Sequence, residues 1–239
     1  MKRALVTGGS GALGAAISRL LAAQGLSILV HANGNLAAAE TVVADIKSAG
    51  GSATAIAFDV TNGPATRQTL GQILQHGPIQ VLVNNAGIHD DVVMPGMQPE
   101  QWSRVIDVSL NGFFNVTQPL LMPMLRTRWG RIISVSSVAA LMGNRGQSNY
   151  AAAKAGLHGA SKSLALELAS RGVTVNVVAP GIIASPMADQ VFGKELIEQM
   201  VPMKRAGTPH EVAALVGFLA SDQAGYISGQ VISINGGMA

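Results

Sequence analysis

The architecture follows from Ala4-Leu-Val-Thr7-Gly8-Gly9-Ser10-Gly11-Ala12-Leu13-Gly14, near the start of the 239-residue chain. A short apolar run with β-branched residues stops at a cluster of glycines, and an apolar segment over 15–23 follows, so the pattern predicts a strand, a tight turn and a helix. Such a turn directs backbone N–H groups and a helix N-terminus at a phosphate, which glycines allow to approach closely. A glycine-rich turn is a weak signal alone, but directly after a first strand it predicts a dinucleotide site.

The rest of the chain alternates between strand and helix patterns. Further strands are predicted at 26–30, 52–58, 80–83, 131–135, 174–178 and 231–234. Helices are predicted at 36–49, after Val60 up to about residue 75, at 99–126, from 150 to about 170 and at 209–221. Seven strands alternating with helices predict an α/β fold, a Rossmann-type doubly wound parallel sheet with helices on both faces. Because no linker or repeat interrupts the pattern, we expect one domain over residues 1–239.

Composition narrows the class of protein. Hydrophobic residues make up 48% of the chain and charged residues 12%, which suits a parallel sheet covered on both faces. The net charge is +3 and the basic residues form no stripe interleaved with aromatics, so no nucleic-acid partner is expected. With neither a signal peptide nor a membrane span, we expect a cytoplasmic protein with no membrane partner. The chain has no Cys and its five His lack ligand spacing, so we expect no metal site and interpret the histidines as ordinary polar residues.

Three side chains near the fifth predicted strand carry the chemistry. Tyr150 and Lys154 are four residues apart and share one face of a helix. The nearby ammonium is expected to lower the pKa of the phenol towards the working range of a general acid. Ser137 follows the predicted strand and can donate a hydrogen bond to a carbonyl oxygen. The pair alone is a weak signal, because an exposed pair on a helix has the same spacing.

Residues that follow the other strands bear on the cofactor. An Asp or Glu after the second strand would bind the adenosine ribose of NAD. His31-Ala32-Asn33-Gly34-Asn35 contains neither, which favours NADP(H). The same segment also lacks an Arg that could bind the 2′-phosphate of NADP(H). Asp59-Val60 follows the third strand, where the adenine is expected. Asn84-Asn85-Ala86-Gly87 follows the fourth, where small side chains can admit a flat cofactor, although Asn is also an ordinary turn former.

Together these motifs resemble the short-chain dehydrogenase/reductase family over the whole chain. The motifs occur in the order Thr7-Gly8…Gly14, Asn84-Asn85-Ala86-Gly87, Ser137, Tyr150-Ala-Ala-Ala-Lys154 and Pro180-Gly181. Within the family, Gly143-Asn-Arg-Gly-Gln-Ser-Asn-Tyr150 and the ending Ile234-Asn-Gly-Gly-Met238 are similar to bacterial 3-oxoacyl-[acyl-carrier-protein] reductases. The segment Pro202-Met-Lys-Arg205 is also similar to reductases that serve aryl-polyene or other polyketide-like clusters.

The resemblance implies a homotetrameric ketoreductase of fatty acid or polyketide-like biosynthesis that uses NADPH to reduce a 3-oxoacyl thioester on acyl carrier protein. It implies that Tyr150 is the acid, that Lys154 holds the nicotinamide ribose and that Ser137 fixes the carbonyl. It implies cofactor contacts at Tyr150 and Lys154 and at Gly8, Ser10, Gly11, Leu13, Gly14, Asn33, Asp59, Val60, Asn85, Ala86, Gly87, Pro180, Gly181, Ile183 and Ser185. Arg128 and Arg171 match basic residues that dock the carrier protein, although a surface Arg is often only solvated.

Two residues depart from the family pattern. Ala12 stands where Gly is common, so the turn must tolerate one more methyl group near the phosphates. Ser109 stands in place of the family's catalytic Asn and is the candidate to hold a relay water. Asn111 lies roughly 200° further around a helix, so it is not expected to substitute.

The segment of about 184–203 is expected to form a mobile lid over an acyl chain. Its apolar residues are Met187, Val191, Phe192, Leu196, Ile197 and Met200, and an amphipathic helix packed as core would show the same pattern. Two other functions stay open. One is a dehydrogenase of another secondary alcohol or ketone, because this scaffold hosts many substrates. The other is a non-catalytic subunit that binds cofactor, which the change at Ser109 favours.

Overall fold

The structure is a computed structural model that describes residues 1–185 and 193–239. Its strands are β1 (Arg3–Val6), β2 (Ser27–Ala32), β3 (Ser52–Ala57), β4 (Val81–Asn84), β5 (Gly130–Val135), β6 (Val173–Pro180) and β7 (Val231–Ile234). They form one sheet in the order β3-β2-β1-β4-β5-β6-β7, and all neighbouring pairs are parallel. The prediction of a doubly wound seven-stranded parallel sheet is confirmed, and its strand limits differ from those observed by at most two residues.

The described helices are α1 (Ala12–Ala23), α2 (Leu36–Ser48), α3 (Gly63–Leu74), α4 (Pro99–Ile106), α5 (Gly112–Thr127), α6 (Ala139–Met142), α7 (Ser148–Leu168), α8 (Lys194–Met200) and α9 (Pro209–Ala220). The local sequence explains where several of these helices begin. Asn35 and Asn62 accept hydrogen bonds from the backbone of the first turns of α2 and α3. Thr208 and Glu211 form a capping box at α9, where Pro209 occupies the first helical position.

Helices cover both faces of the sheet because alternate residues of each strand point in opposite directions. Ala4 and Val6 of β1 belong to one hydrophobic cluster, which contains residues from α1, α2 and α9. Leu5, between them, belongs to a second cluster, which contains residues from α3, α5 and α7. Strands buried on both sides therefore explain the high apolar content of the sequence.

The helix predicted over 99–126 is interrupted where α4 meets α5. Asp107–Asn111 forms a π-helical turn, which is wider than an α-helical turn, and Ser109 within it is buried. Such turns are rare in proteins, and those that occur are often found at functional sites. Because the wider turn changes the rotation from residue to residue, the side chains that face the interior near Ser109 differ from those that a continuous α-helix would place there.

The order in which successive strands are added reverses between β1 and β4, and this is where ligands bind in sheets of this type. The glycine turn follows β1, Asp59 follows β3, Asn85 follows β4 and Ser137 follows β5. In the part of the chain that the structure describes, no helix is long and apolar enough to cross a membrane. Over the same residues, no three His, Cys, Asp or Glu side chains are grouped so that they could hold a metal ion.

Candidate active site

A cavity of about 450 Å³ lies at the carboxyl ends of β1 to β4. It is lined by Gly8, Ser10, Gly11, Ala12, Leu13, Gly14, His31, Asn33, Asp59, Val60, Asn85, Ala86, Gly87, Ile88 and Val108. The structure thus brings together every cofactor contact expected between Gly8 and Gly87. Helix α1 begins here at Gly11, with no side-chain cap and no acidic residue in its first turn. Its first backbone N–H groups therefore lack partners within the helix and attract an anion.

The glycine turn is braced from the β4 side. Asn85 donates from its side-chain nitrogen to Thr7 O at 2.9 Å and to Gly8 O at 3.2 Å. The Thr7 hydroxyl oxygen accepts from the backbone N–H groups of Asn85 and Ala86, both at 3.0 Å. A Cβ at Gly14 would lie 2.8 Å from both the Asn85 side-chain nitrogen and Gly9 Cα, so only Gly fits there. Ala12 is exposed, which explains why the turn tolerates its methyl group.

His31 also braces this turn, and the interpretation of the histidines as ordinary polar residues missed it. Its ring is buried, lines the cavity and lies 4.1 Å from the ring of Phe58. Gly8 N–H donates to Nδ1 at 3.1 Å, and Nε2 lies 2.8 Å from Phe58 O. Burial lowers the pKa of His31, while the Phe58 carbonyl and Asp59 act in the opposite direction. The available signal was its position at the end of β2, opposite the glycine turn.

A second cavity has a volume of about 300 Å³, and consecutive residues link the two, since Ile88 lines the first and His89 the second. Its walls include Ser137, Tyr150, Gly181, Ile183, Ser185 and Met200. Ser137 and Tyr150 line it together, and the Ser137 side chain is close enough to lower the pKa of the Tyr150 phenol. Lys154 lies on the same face of α7, with its Nζ 5.7 Å from the centre of the Tyr150 ring. The three side chains expected to carry the chemistry therefore lie together.

Lys154 is held behind the cavities. Its side chain is buried, and its Nζ donates to Val135 O at 2.9 Å. A Cβ at Gly87 would lie 2.9 Å from this Nζ, so the ammonium borders the cofactor cavity where a small residue is required. Burial lowers the pKa of Lys154 to about 8. The amine thus stays mainly protonated at neutral pH.

The expected effect of Lys154 on Tyr150 is wrong for this structure. The pKa of Tyr150 is raised above its ordinary value, chiefly because the phenol is buried. The hydrogen bond from Ser137 acts in the opposite direction, and the negative charge of Asp91 raises the pKa further. Desolvation is the largest effect on this pKa, and Lys154 Nζ, which is 5.7 Å from the centre of the ring and bonded to Val135 O, is not among its causes.

Ser109 is buried on the π-helical turn, and its Oγ has no hydrogen-bond partner among the described residues. A Cβ at Gly87 would lie 3.5 Å from this oxygen, so Ser109 and Lys154 flank the same point. Asn111 is exposed and donates to Asp107 Oδ1 at 2.6 Å. As expected, Asn111 does not take the place of Ser109.

Asn149 is a further site residue that the sequence reasoning missed. It is fully buried, and its side chain donates to Asp90 O at 3.0 Å and to Gln101 O at 3.1 Å. Its Oδ1 accepts from Tyr150 N at 2.8 Å. Asn149 therefore fixes the start of α7 against the loop after β4 and against α4, and it thereby positions Tyr150.

The remaining predicted residues lie elsewhere. Pro180 ends β6 beside Ile234, whereas Gly181, Ile183 and Ser185 line the second cavity and not the first. Arg128 and Arg171 precede β5 and β6, at the opposite edge of the sheet from Ser137. Because β6 has eight residues, that edge is about 25 Å away.

The expected lid lies only partly within the described residues, since Met187, Val191 and Phe192 fall outside them. Leu196, Ile197 and Met200 belong to α8, and Met200 lines the second cavity. Backbone hydrogen bonds join the start of this segment to the residues that follow it. Ala184 N–H donates to Gly207 O at 2.8 Å, and Gly207 N–H donates to Ile182 O at 2.9 Å.

Comparison with known proteins gives concordant results. Residues 2–196 match a family model described as short chain dehydrogenase. The 3-oxoacyl-[acyl-carrier-protein] reductase FabG of Staphylococcus epidermidis is 44% identical over 240 residues, which cover 99% of this chain and 98% of the relative. The protein of the same name from Staphylococcus aureus is 46% identical over 241 residues, with coverage of 99% and 98%. A 3-oxoacyl-[acyl-carrier-protein] reductase of Synechocystis is 46% identical over 237 residues, with coverage of 98% and 96%.

These similarities extend over nearly the whole chain and include both cavities. They imply a nicotinamide cofactor, in agreement with the glycine turn and the unpaired N–H groups at the start of α1. The protein therefore belongs to the short-chain dehydrogenase family.

Proposed function

We propose that the protein reduces the 3-keto group of a 3-oxoacyl thioester carried on acyl carrier protein, with NADPH as the donor, to the 3-hydroxyacyl thioester. The observation that carries the proposal is that Ser137 and Tyr150 line the second cavity together, with Lys154 Nζ 5.7 Å from the centre of the Tyr150 ring. The names of the similar proteins support the substrate class.

The residues of the first cavity fit a dinucleotide. The N-terminus of α1 would hold the pyrophosphate, Asp59 and Val60 would border the adenine, and Lys154 would hold the nicotinamide ribose. When bound, the cofactor supplies a hydride to the keto carbon. We infer NADPH because no carboxylate follows β2 to repel a 2′-phosphate. Among the described residues that line this cavity, Asp59 is the charged group and none is Lys or Arg, so we expect a modest preference for NADPH over NADH.

The chain's own residues account for the proton. The Tyr150 phenol would give its proton to the keto oxygen as negative charge develops there, and the Ser137 hydroxyl would donate a hydrogen bond to the same oxygen. The raised pKa of Tyr150 keeps the phenol protonated at neutral pH, as an acid in the reductive direction requires. Ser109, with its unpaired hydroxyl near Lys154, would hold the water through which a proton returns to Tyr150.

The decisive experiment is turnover by the purified protein alone. We expect oxidation of NADPH with 3-oxoacyl thioesters of graded length, and faster turnover of these than of simple ketones, sugars or steroids. A faster reaction with a simple secondary alcohol or ketone would instead identify a dehydrogenase of another substrate. Absence of turnover with every substrate, despite binding of the dinucleotide, would identify a non-catalytic subunit.

We also propose that Arg128 and Arg171 dock the acidic carrier protein. Their backbones are neighbours, since a Cβ at Gly172 would collide with Arg128 O. Charge reversal of both should raise KM for the carrier-bound substrate and leave KM for a small thioester unchanged. Equal effects on the two substrates would refute docking at this surface. Because this surface and Tyr150 lie at opposite ends of the strands, the assay should use the assembled protein.

A further inference from the structure

His31 holds two consecutive backbone groups of the glycine turn. Its Nδ1 accepts from Gly8 N–H at 3.1 Å, and its own carbonyl oxygen accepts from Gly9 N–H at 2.8 Å. Gly8 adopts a left-handed conformation with φ of +61°, so the turn is bent sharply where His31 holds it. Asn85 holds the same turn from the other side, through Gly8 O. The shape of the turn is therefore fixed from both neighbouring strands.

These contacts define the chemical state of the imidazole. Gly8 N–H is a donor, so Nδ1 must be an unprotonated acceptor, and Phe58 O is an acceptor, so Nε2 must carry the hydrogen. Only the neutral Nε2–H form satisfies both backbone groups. Protonation of Nδ1 would set one N–H against another and release the turn.

The surroundings favour that neutral form. The ring is buried between the glycine turn and Phe58 and lies against the Phe58 ring. Gly8 and Gly9 on the β1 side and Phe58 on the β3 side are uncharged. Asp59 is the charged group that acts on His31 among the described residues, and its attraction for the imidazolium is weaker than the opposing effect of burial.

We propose that His31 is a positioning residue for the cofactor, whose neutral imidazole holds the glycine turn in the shape that receives the pyrophosphate. The inference rests on the proposed dinucleotide site. With the turn held, the first N–H groups of α1 and the exposed Gly11 face the cavity. With the turn released, these donors lose their common orientation, and the affinity for both NADPH and NADH falls.

The test is direct binding of NADPH and NADH by calorimetry to wild type, His31→Phe and His31→Gln. Phe keeps the ring and loses both hydrogen bonds, so Kd should rise about tenfold for both dinucleotides. Gln has one acceptor and one donor on its amide, so His31→Gln should restore Kd to within about threefold of wild type at pH 8. His76→Gln, at an exposed histidine after α3, is the matched control and should leave Kd unchanged.

The second part of the test varies pH. The pKa of His31 is lowered in the folded protein. The neutral imidazole therefore prevails at any pH above the ordinary pKa of histidine and is lost only as the pH falls below it. We expect wild-type Kd for NADH to rise as the pH is lowered below 6.5, the ordinary pKa of histidine, whereas Kd of His31→Gln should change little, because its amide does not titrate. NADH is the appropriate probe because it lacks the titrating 2′-phosphate.

The outcomes separate the two proposals. If wild type binds neither dinucleotide, the cofactor site itself is refuted. If wild type binds both and His31→Phe, shown by its melting curve to be folded, binds equally well, the role of His31 is refuted and the cofactor site stands. If His31→Gln binds as poorly as His31→Phe, the hydrogen bonds are not what matters, and the inference is overturned.

Discussion

At the scale of single residues, burial governs the ionisable groups of this site. Tyr150 and Lys154 are both removed from water, which raises the pKa of the phenol and lowers that of the amine. At neutral pH the result is a protonated phenol next to a mainly protonated amine. This pair is suited to delivering a proton and to binding a polar cofactor group at the same time.

Tyr150→Phe should abolish reduction while sparing cofactor binding. The variant keeps the aromatic ring and loses the hydroxyl that donates the proton, so kcat should fall by a factor of about 10² to 10⁴. Kd for NADPH, measured by calorimetry, should stay within about twofold, because Tyr150 lines the second cavity and not the first. A variant that turned over at the wild-type rate would remove Tyr150 from the role of acid.

The activity of the wild type should fall above about pH 8. The proposed mechanism requires Lys154 as an ammonium. Burial lowers its pKa to about 8, so it loses its proton as the pH rises through that value. A pH profile of kcat/KM should show this descending limb. Lys154→Arg should lack it because guanidinium stays charged, even if the rate is lower. Lys162→Arg, at an exposed position of the same helix, should keep the wild-type profile.

Ser109→Ala should separate catalysis from stability. The Ser109 hydroxyl is buried and has no hydrogen-bond partner among the described residues, so its removal breaks no described bond and should change the free energy of unfolding by less than about 1 kcal/mol. If the hydroxyl holds the relay water, kcat should fall several-fold at the same time. Denaturant melts and steady-state kinetics measure the two effects, and an unchanged kcat would exclude Ser109 from the relay.

At the scale of secondary structure elements, the site depends on how α7 is set against its neighbours. Asn149 bonds the start of α7 to Asp90 and Gln101, and Val92 N–H donates to Gly146 O at 2.8 Å just before the helix. The π-helical turn between α4 and α5 places Ser109 beside the same helix. Tyr150 therefore owes its position to contacts between three separate parts of the chain.

Asn149→Ala should impair both stability and the chemical step. It leaves the part-buried carbonyls of Asp90 and Gln101 and the Tyr150 N–H without their partner, which should cost about 1–3 kcal/mol of the free energy of unfolding. Tyr150 should then lose its alignment, and kcat should fall about tenfold while Kd for NADPH changes little. Asn111→Ala removes an exposed Asn whose side chain donates to Asp107, so it is the matched control. A fall in stability with kcat intact would make Asn149 purely structural.

At the scale of the whole molecule, apolar side chains remain exposed on two long helices. Phe114 and Met122 of α5 are 59% and 61% exposed, and Leu166 of α7 is 85% exposed. Burial of such surfaces is a common basis of symmetric association. We therefore keep the expectation of a homotetramer as a proposal, with α5 and α7 as its interfaces.

Phe114→Lys combined with Met122→Lys should lower the mass in solution. The charged side chains would oppose burial of α5 against another subunit, so light scattering should show a smaller assembly than for wild type. Met94→Lys changes a side chain that is 55% exposed but lies outside both helices, and it should not alter the mass. A wild-type protein that is already monomeric would contradict the proposal.

The sequence predicted what depends on local pattern and failed where distant contacts decide. The sheet, its strand limits and the meeting of Gly8, Asp59 and Asn85 at one edge follow from periodicity and parallel topology. The roles of His31 and Asn149 depend on partners 23 to 59 residues away, which no local pattern reveals. The pKa of Tyr150 was misjudged because spacing shows the neighbouring charge and not the depth of burial.

The tie between Ala184 and Gly207 has an evolutionary consequence. Both ends of the intervening stretch meet at one anchored base, and Ser137, Tyr150 and Lys154, the residues proposed to be catalytic, all precede it. A different stretch could therefore be grafted between the same two anchors without altering the parallel sheet. Substrate range could then diversify through this exchangeable module while the catalytic frame is inherited unchanged.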